Sequence, residues 1–191
     1  MKISERYITL AVLVVFLILS GCGGKTYSSE AMGLSFMMEK GSSVTETDGS
    51  LIYDMNRDIR IVILSWDASD MIGEDYASSN PVDDLSLLSG AFDTNYNNPV
   101  YDRELFGYIL SGSPNTYTPV SIGYTSFSDM TFVTGDFTSD TAKACGSLYL
   151  TIEHNTCYMI CIYINDSYEN MSMHDRDISA FKRSFTIEQR R

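Results

Sequence analysis

One six-residue run narrows the choice of fold more than any other stretch of this chain: Ile59-Arg-Ile-Val-Ile-Leu64. Ile59, Ile61 and Ile63 fall on one side of a strand and Arg60, Val62 and Leu64 on the other, so the strand becomes apolar on both faces toward its end. A strand buried on both faces needs a layer on each side of its sheet. Leu51, Tyr53 and Met55 alternate just ahead of it, and the polar turn Asn56-Arg57-Asp58 joins the two segments into a predicted β-hairpin. Val120, Ile122 and Tyr124 with Met130, Phe132 and Thr134 predict a second hairpin around Ser128-Asp129. Leu148, Leu150 and Ile152 answer Cys157, Met159 and Cys161 across His154-Asn155 in a third. Three hairpins make an antiparallel sheet the economical architecture.

Around these pairs the chain supplies a first strand at Gly33–Lys40, the turn residues Gly41-Ser-Ser, and a helix between Gly73 and Phe92 with Leu85, Leu88 and Phe92 as its stripe. A closing helix runs from about Asp166 to Arg183, where Met171, His174, Ile178, Phe181 and Phe185 recur at helical spacing. Asp166 with Glu169, or Ser172 with Asp175, makes its capping box, and Lys182 and Arg183 complement the dipole in its last turn.

The 191 residues carry a formal charge of −12. Such a surface repels phosphate backbones and has no basic stripe, which excludes nucleic acid as a partner. The N-terminal residues differ from the rest. Lys2 and Arg6 precede an apolar run from Ile8 to Leu19, and Leu19-Ser-Gly-Cys22 ends it. This resembles the signal peptide and lipobox of bacterial lipoproteins, in which the cysteine thiol is acylated and a peptidase cuts just before it. The resemblance implies a signal peptide over 1–21, lipidated Cys22 as the first mature residue, and a place at the extracytoplasmic face of a bacterial cell membrane. The run falls short of the roughly 20 residues of a spanning helix. Residues 22–32 then read as a flexible polar tether and 33–191 as a single globular α+β domain. With this charge, membrane contact is expected through the N-terminal lipid alone.

The order of elements carries a second resemblance. A Gly33-Leu-Ser-Phe36 strand after the tether, a hairpin, a helix, further antiparallel strands and a terminal helix ending Ile178-Ser-Ala-Phe-Lys-Arg-Ser-Phe-Thr-Ile187 resemble the small exported lipoproteins of the PsbP-like superfamily. What this implies is a twisted antiparallel β-sheet flanked by α-helices on both faces, a PsbP-like α/β/α sandwich. Members of that superfamily mostly act as binding or assembly accessories. No shared site motif carries a functional residue over to this chain.

Several residue types with chemical potential stand in spacings that do not suit the chemistry. Cys145, Cys157 and Cys161 with His154 are zinc-ligand types, but on a straight strand Cys157 and Cys161 have α-carbons about 13 Å apart, from four residues at roughly 3.3 Å each. That spacing suits neither one zinc ion nor a disulfide, so the three thiols read as small buried apolar groups. Ser179-Ala-Phe-Lys182 matches a Ser-x-x-Lys signature without its Ser-Asp-Asn and Lys-Thr-Gly partners. His154 and His174 lack a nucleophile elbow or any other recognisable catalytic setting. Asp67, Asp70, Glu74 and Asp75 crowd together without the ligand spacing of a calcium loop. Gly24-Lys25-Thr26 is no phosphate loop, because Leu19 stands where the first glycine belongs. The sequence therefore points to no catalytic residue, metal or cofactor. The remaining candidates are the loop residues Asn95, Tyr96, Asn98, Tyr101 and Tyr117, whose flat amphipathic rings and amides suit saccharide or peptide partners.

The expectation is a lipid-anchored extracytoplasmic binding or assembly module of the cell envelope, with an envelope protein or glycan as partner. Two rival classes stay open: an envelope hydrolase using His154 or His174 with a serine, and a lipoprotein that captures a small solute or cation at the acidic segment.

Overall fold

The computed structural model describes residues 24–68, 118–139 and 143–188, which form two antiparallel sheets and one α-helix. The larger sheet contains β3 (Ser43–Thr47), β4 (Ser50–Asp54), β5 (Ile59–Asp67), β6 (Thr118–Phe127), β7 (Met130–Ser139), β8 (Ala144–Glu153) and β9 (Thr156–Ile164), in the order β3-β4-β5-β9-β8-β7-β6. The smaller sheet is β1 (Lys25–Ser29), β2 (Leu34–Met38) and β10 (Thr186–Ile187), in the order β1-β2-β10. Helix α1 (Asp175–Ser184) follows a 3₁₀ segment over Tyr168–His174.

The three expected hairpins are β4–β5, β6–β7 and β8–β9. The last two turn through two residues at positive φ: Ser128 and Asp129 at 50° and 61°, His154 and Asn155 at 51° and 63°. This is the turn geometry whose twist matches the flanking strands. Asp and Asn enter the left-handed region more readily than most residues, which is why the turns form without glycine.

Alternation along the central strands divides the buried residues into two cores. Ile59, Ile61 and Ile63 of β5 join Ile160, Ile162 and Ile164 of β9 on one face. Over them lie Leu34 and Phe36 of β2 and Ile178, Phe181 and Phe185 from the C-terminal segment. Aromatic rings dominate here: Phe36 lies 4.9 Å from Tyr53 and 5.5 Å from Phe181, and Phe127 stacks on Phe132 at 4.1 Å. On the opposite face Val62, Val133, Phe137, Leu148, Leu150, Cys157, Met159 and Cys161 are equally buried. The double burial inferred from Ile59–Leu64 is therefore present. Fully burying an aliphatic or aromatic side chain of this size contributes about 1.5–3 kcal/mol, so each face holds a substantial core.

Three expectations change. Residues 25–29, assigned to the tether by their polar composition, are strand β1, paired with β2 from Lys25↔Met38 to Ser29↔Leu34. Their polar side chains are bonded within the fold: Tyr27 donates its hydroxyl to Glu46 of β3, and Ser29 Oγ donates to the same carboxylate at 2.6 Å. Ser43–Thr47, unassigned beyond the turn before it, is the edge strand β3. The closing helix begins at Asp175, and neither the 3₁₀ segment nor α1 has a side-chain cap. Asp166 instead accepts from Ser167 N at 2.7 Å and Asn170 Nδ2 at 2.9 Å. Of the helices expected on both faces, α1 covers the aromatic face; the one expected between Gly73 and Phe92 lies outside the described residues.

Candidate functional site

Cys22 and the loop residues Asn95, Tyr96, Asn98, Tyr101 and Tyr117 lie outside the described residues, as do Asp70, Glu74 and Asp75 of the acidic segment. Asp67 closes β5, where Asn155 Nδ2 lies 3.5 Å from its Oδ2. Among the described residues no three His, Cys, Asp or Glu side chains gather as a metal site requires.

The other reactive types have structural places. His154 is exposed in the β8–β9 turn. His174 is half-buried at the junction of the 3₁₀ segment and α1, with Nε2 3.4 Å from Asp166 Oδ2. The Asp166 carboxyl is held below the usual carboxylate range, first by the Asn170 amide, then by the Ser167 backbone and by His174. Cys145, buried on the aromatic face, has its thiol pushed up to about 11 by burial and by the Asp166 and Asp136 carboxylates. Burial alone pushes Cys157 up to about 12 and raises Cys161 further. All three stay protonated at neutral pH, which is the opposite of what a nucleophilic or metal-binding thiolate needs. Cys157 and Cys161 share the second face, as expected for positions four apart on a strand.

Lys182 of the Ser-x-x-Lys match is a structural pin. Its Nζ donates to Tyr149 Oη at 2.7 Å and stands 4.4 Å over that ring and 5.7 Å from the centre of Phe127. Ser128 Oγ donates to the Lys182 carbonyl, so α1 is fastened to the β6–β7 turn. Phe181 beside it is 1% exposed in the core.

A concave feature among the described residues lies at the end of the small sheet. Gly24 and Lys25 at the head of β1, Met37 and Met38 at the end of β2, and the turn Glu39–Ser42 enclose an open groove of about 890 Å³ against Met55, Ala180 and Phe181. Phe181 and Met55 are buried beneath it. Alternation along β2 sends Leu34 and Phe36 into the core and turns Met37 outward, half-exposed at 50%. The Met37 backbone N–H is held by Ser184 Oγ at 3.1 Å, and the Glu39 N–H by Tyr53 Oη at 2.9 Å, which fixes the β2 wall between α1 and the main sheet. Met rims adapt to irregular apolar shapes, and Lys40 is exposed beside them. Sequence reading missed this groove: the Met-Met-Glu-Lys-Gly run was legible as a strand end and turn, but not the outward Met37 or α1 docking beside it.

No protein-family model matches the sequence, and no curated protein matches it. Solved structures do. The solution structure of the cyanobacterial PsbP protein CyanoP from Synechocystis superposes with a TM-score of 0.58 over 88% of this chain and 98% of that one, at 13% identity. The fold is PsbP-like. The Ran-binding protein Mog1p of Saccharomyces cerevisiae follows with a TM-score of 0.47, at 11% identity over 87% of this chain and 96% of its own. LpqN, involved in cell envelope biogenesis of Mycobacterium tuberculosis, matches with 0.41, at 8% identity over 88% of this chain and 87% of its own. Within the PsbP-like fold seen here, the groove occupies the end of the small sheet at which strand β1 starts.

Proposed function

We propose that the protein is a lipid-anchored, extracytoplasmic binding or assembly module of the bacterial cell envelope, and that it is not an enzyme. The observation that carries this reading is where the first described strand lies relative to Cys22. Strand β1 starts at Lys25, three positions after Cys22, so cleavage before Cys22 removes the signal-like segment and spares every strand among the described residues. No helix among the described residues is long and apolar enough to cross a membrane, and two acyl chains suffice for stable anchoring. The mechanism is confinement: a domain held at the membrane surface meets other surface-bound partners at a raised effective concentration. Against the hydrolase reading stand the exposed turn position of His154, the pairing of His174 with Asp166, and the packing of Lys182 on aromatic rings. Partner recognition is assigned to the loop residues Asn95, Tyr96, Asn98, Tyr101 and Tyr117.

Two measurements test the reading. Mass spectrometry of membrane-extracted protein should find Cys22 acylated and residues 1–21 removed, and Cys22→Ala should abolish both; an unmodified Cys22 refutes the anchor. In pull-downs from envelope extract, changing Tyr96, Tyr101 and Tyr117 together to Ala should weaken capture by more than about 2 kcal/mol, as loss of aromatic anchors does. His154→Ala or His174→Ala should leave it within a few fold. Loss of a hydrolytic activity on changing either histidine would move the assignment to an enzyme.

A further inference from the structure

We infer that the groove end of the domain rests on the bilayer, with the Met37 side chain in the headgroup–acyl boundary and a membrane phospholipid as the occupant of the groove. This rests on the lipid-anchored reading above, adds an orientation to it, and extends membrane contact beyond the N-terminal lipid to which overall charge alone would confine it. The argument is one of chain length. Only Gly23 lies between Cys22 and Gly24, and a polypeptide reaches at most about 3.6 Å per residue step, so two steps keep the acylated cysteine within about 7 Å of a groove-lining residue. Because Lys25 is already paired with Met38, there is no slack with which the domain could turn another face to the membrane. The surface brought down is amphipathic in the way an interface requires: the half-exposed Met37 stands near the exposed Lys40, with Glu39 and Lys25 balancing each other in the rest of the charged lining, in a protein whose overall charge is −12. Lysines flanking an apolar contact reach phosphate groups while their stems lie along the hydrocarbon. The His154 turn is at the opposite end: Ile59 and Ile164 mark the groove end of the main sheet, and Asp67 and Thr156 the His154 end, roughly 26 Å away at about 3.3 Å per residue.

The test uses full-length acylated protein in phosphatidylethanolamine–phosphatidylglycerol vesicles with brominated acyl chains. Trp66, the single native tryptophan, is first changed to Phe. A Met37→Trp reporter should then lose about half its emission relative to unbrominated vesicles, as an interfacial side chain seated roughly 5–10 Å deep would. Lys40→Trp should respond similarly and His154→Trp should not. Equal quenching at positions 37 and 154, or none at position 37 or 40, overturns the orientation while an acylated Cys22 in the mass spectrum leaves the anchor standing. A spectrum without acylation refutes both together.

Discussion

The two faces of the seven-stranded sheet bury their residues equally but are built differently. One packs isoleucines and a network of aromatic rings under a second sheet and α1. The other uses Val, Leu, Met and two thiols, with Phe137 as its one buried aromatic ring among the described residues. The difference teaches where stability is concentrated and where chemistry limits it. Large rings that contact several elements lose most when truncated, whereas small side chains against a tight backbone tolerate little addition. Buried thiols add a pH limit that hydrocarbon side chains lack, through two on this face and through Cys145 alone on the aromatic one.

The largest expected effect is on the aromatic face. Phe181→Ala should destabilise the protein by about 3–5 kcal/mol in chemical denaturation, since it removes a buried ring that meets Phe36, Tyr53 and Phe185. A loss below about 1 kcal/mol would mean that α1 contributes little to this core. On the thiol face the expected effect is a decline in stability above about pH 9. Cys157 is held protonated in the fold up to about 12, so as pH rises past the ordinary thiol pKa the unfolded chain loses a proton that the native state retains. The contribution is fully present below that ordinary value and falls by up to about 1.4 kcal/mol per pH unit on the way to 12. A Cys157→Ala, Cys161→Ala double variant should make that limb shallower while leaving the share of Cys145, held protonated to about 11, and an unchanged limb would assign it to other groups.

Gly146→Ala comes next. A Cβ at Gly146 would stand 2.1 Å from the Ile162 carbonyl oxygen and 2.6 Å from Phe137 Cζ, so the ring packs where no side chain can. Backbone has to move, at about 1–3 kcal/mol in the denaturation midpoint, and a neutral result would show that the β7–β8–β9 region yields more easily than a close-packed core. The smallest effect belongs to Arg60, whose Nε lies 2.6 Å from Asp54 Oδ1 with both side chains about 40% exposed. Arg60→Ala should cost no more than about 1 kcal/mol, and less at high salt.

The comparison also separates what the sequence made legible. Alternation in Ile59–Leu64 was enough to infer both cores, because period-two patterning reports burial directly. The hairpin turns were legible for the same reason, from Ser128-Asp129 and His154-Asn155 between alternating runs. Strands β1 and β3 were not: Lys-Thr-Tyr-Ser-Ser and Ser-Val-Thr-Glu-Thr carry almost no apolar pattern, and their stability comes from pairing and from bonds to Glu46 that no local signal announces. The groove was illegible for a related reason. Its walls come from Gly24, Met37, Met55 and Phe181, positions far apart in the chain that only the assembled fold brings together.

The strand order has a kinetic consequence. Hairpins β4–β5, β6–β7 and β8–β9 join neighbours in the chain and can form early, but the seam through the middle of the large sheet pairs Ile59 with Ile164, and the small sheet pairs Ser35 with Thr186. Both closures wait for the C-terminal residues, and contacts between such distant positions slow folding because the loop entropy is lost before the contact forms. A chain delivered N-terminus first therefore keeps its first strands incomplete until its last few dozen residues arrive. Truncation ahead of Phe185 would cost the protein its final closure, and with it β10 and the last ring of the aromatic core.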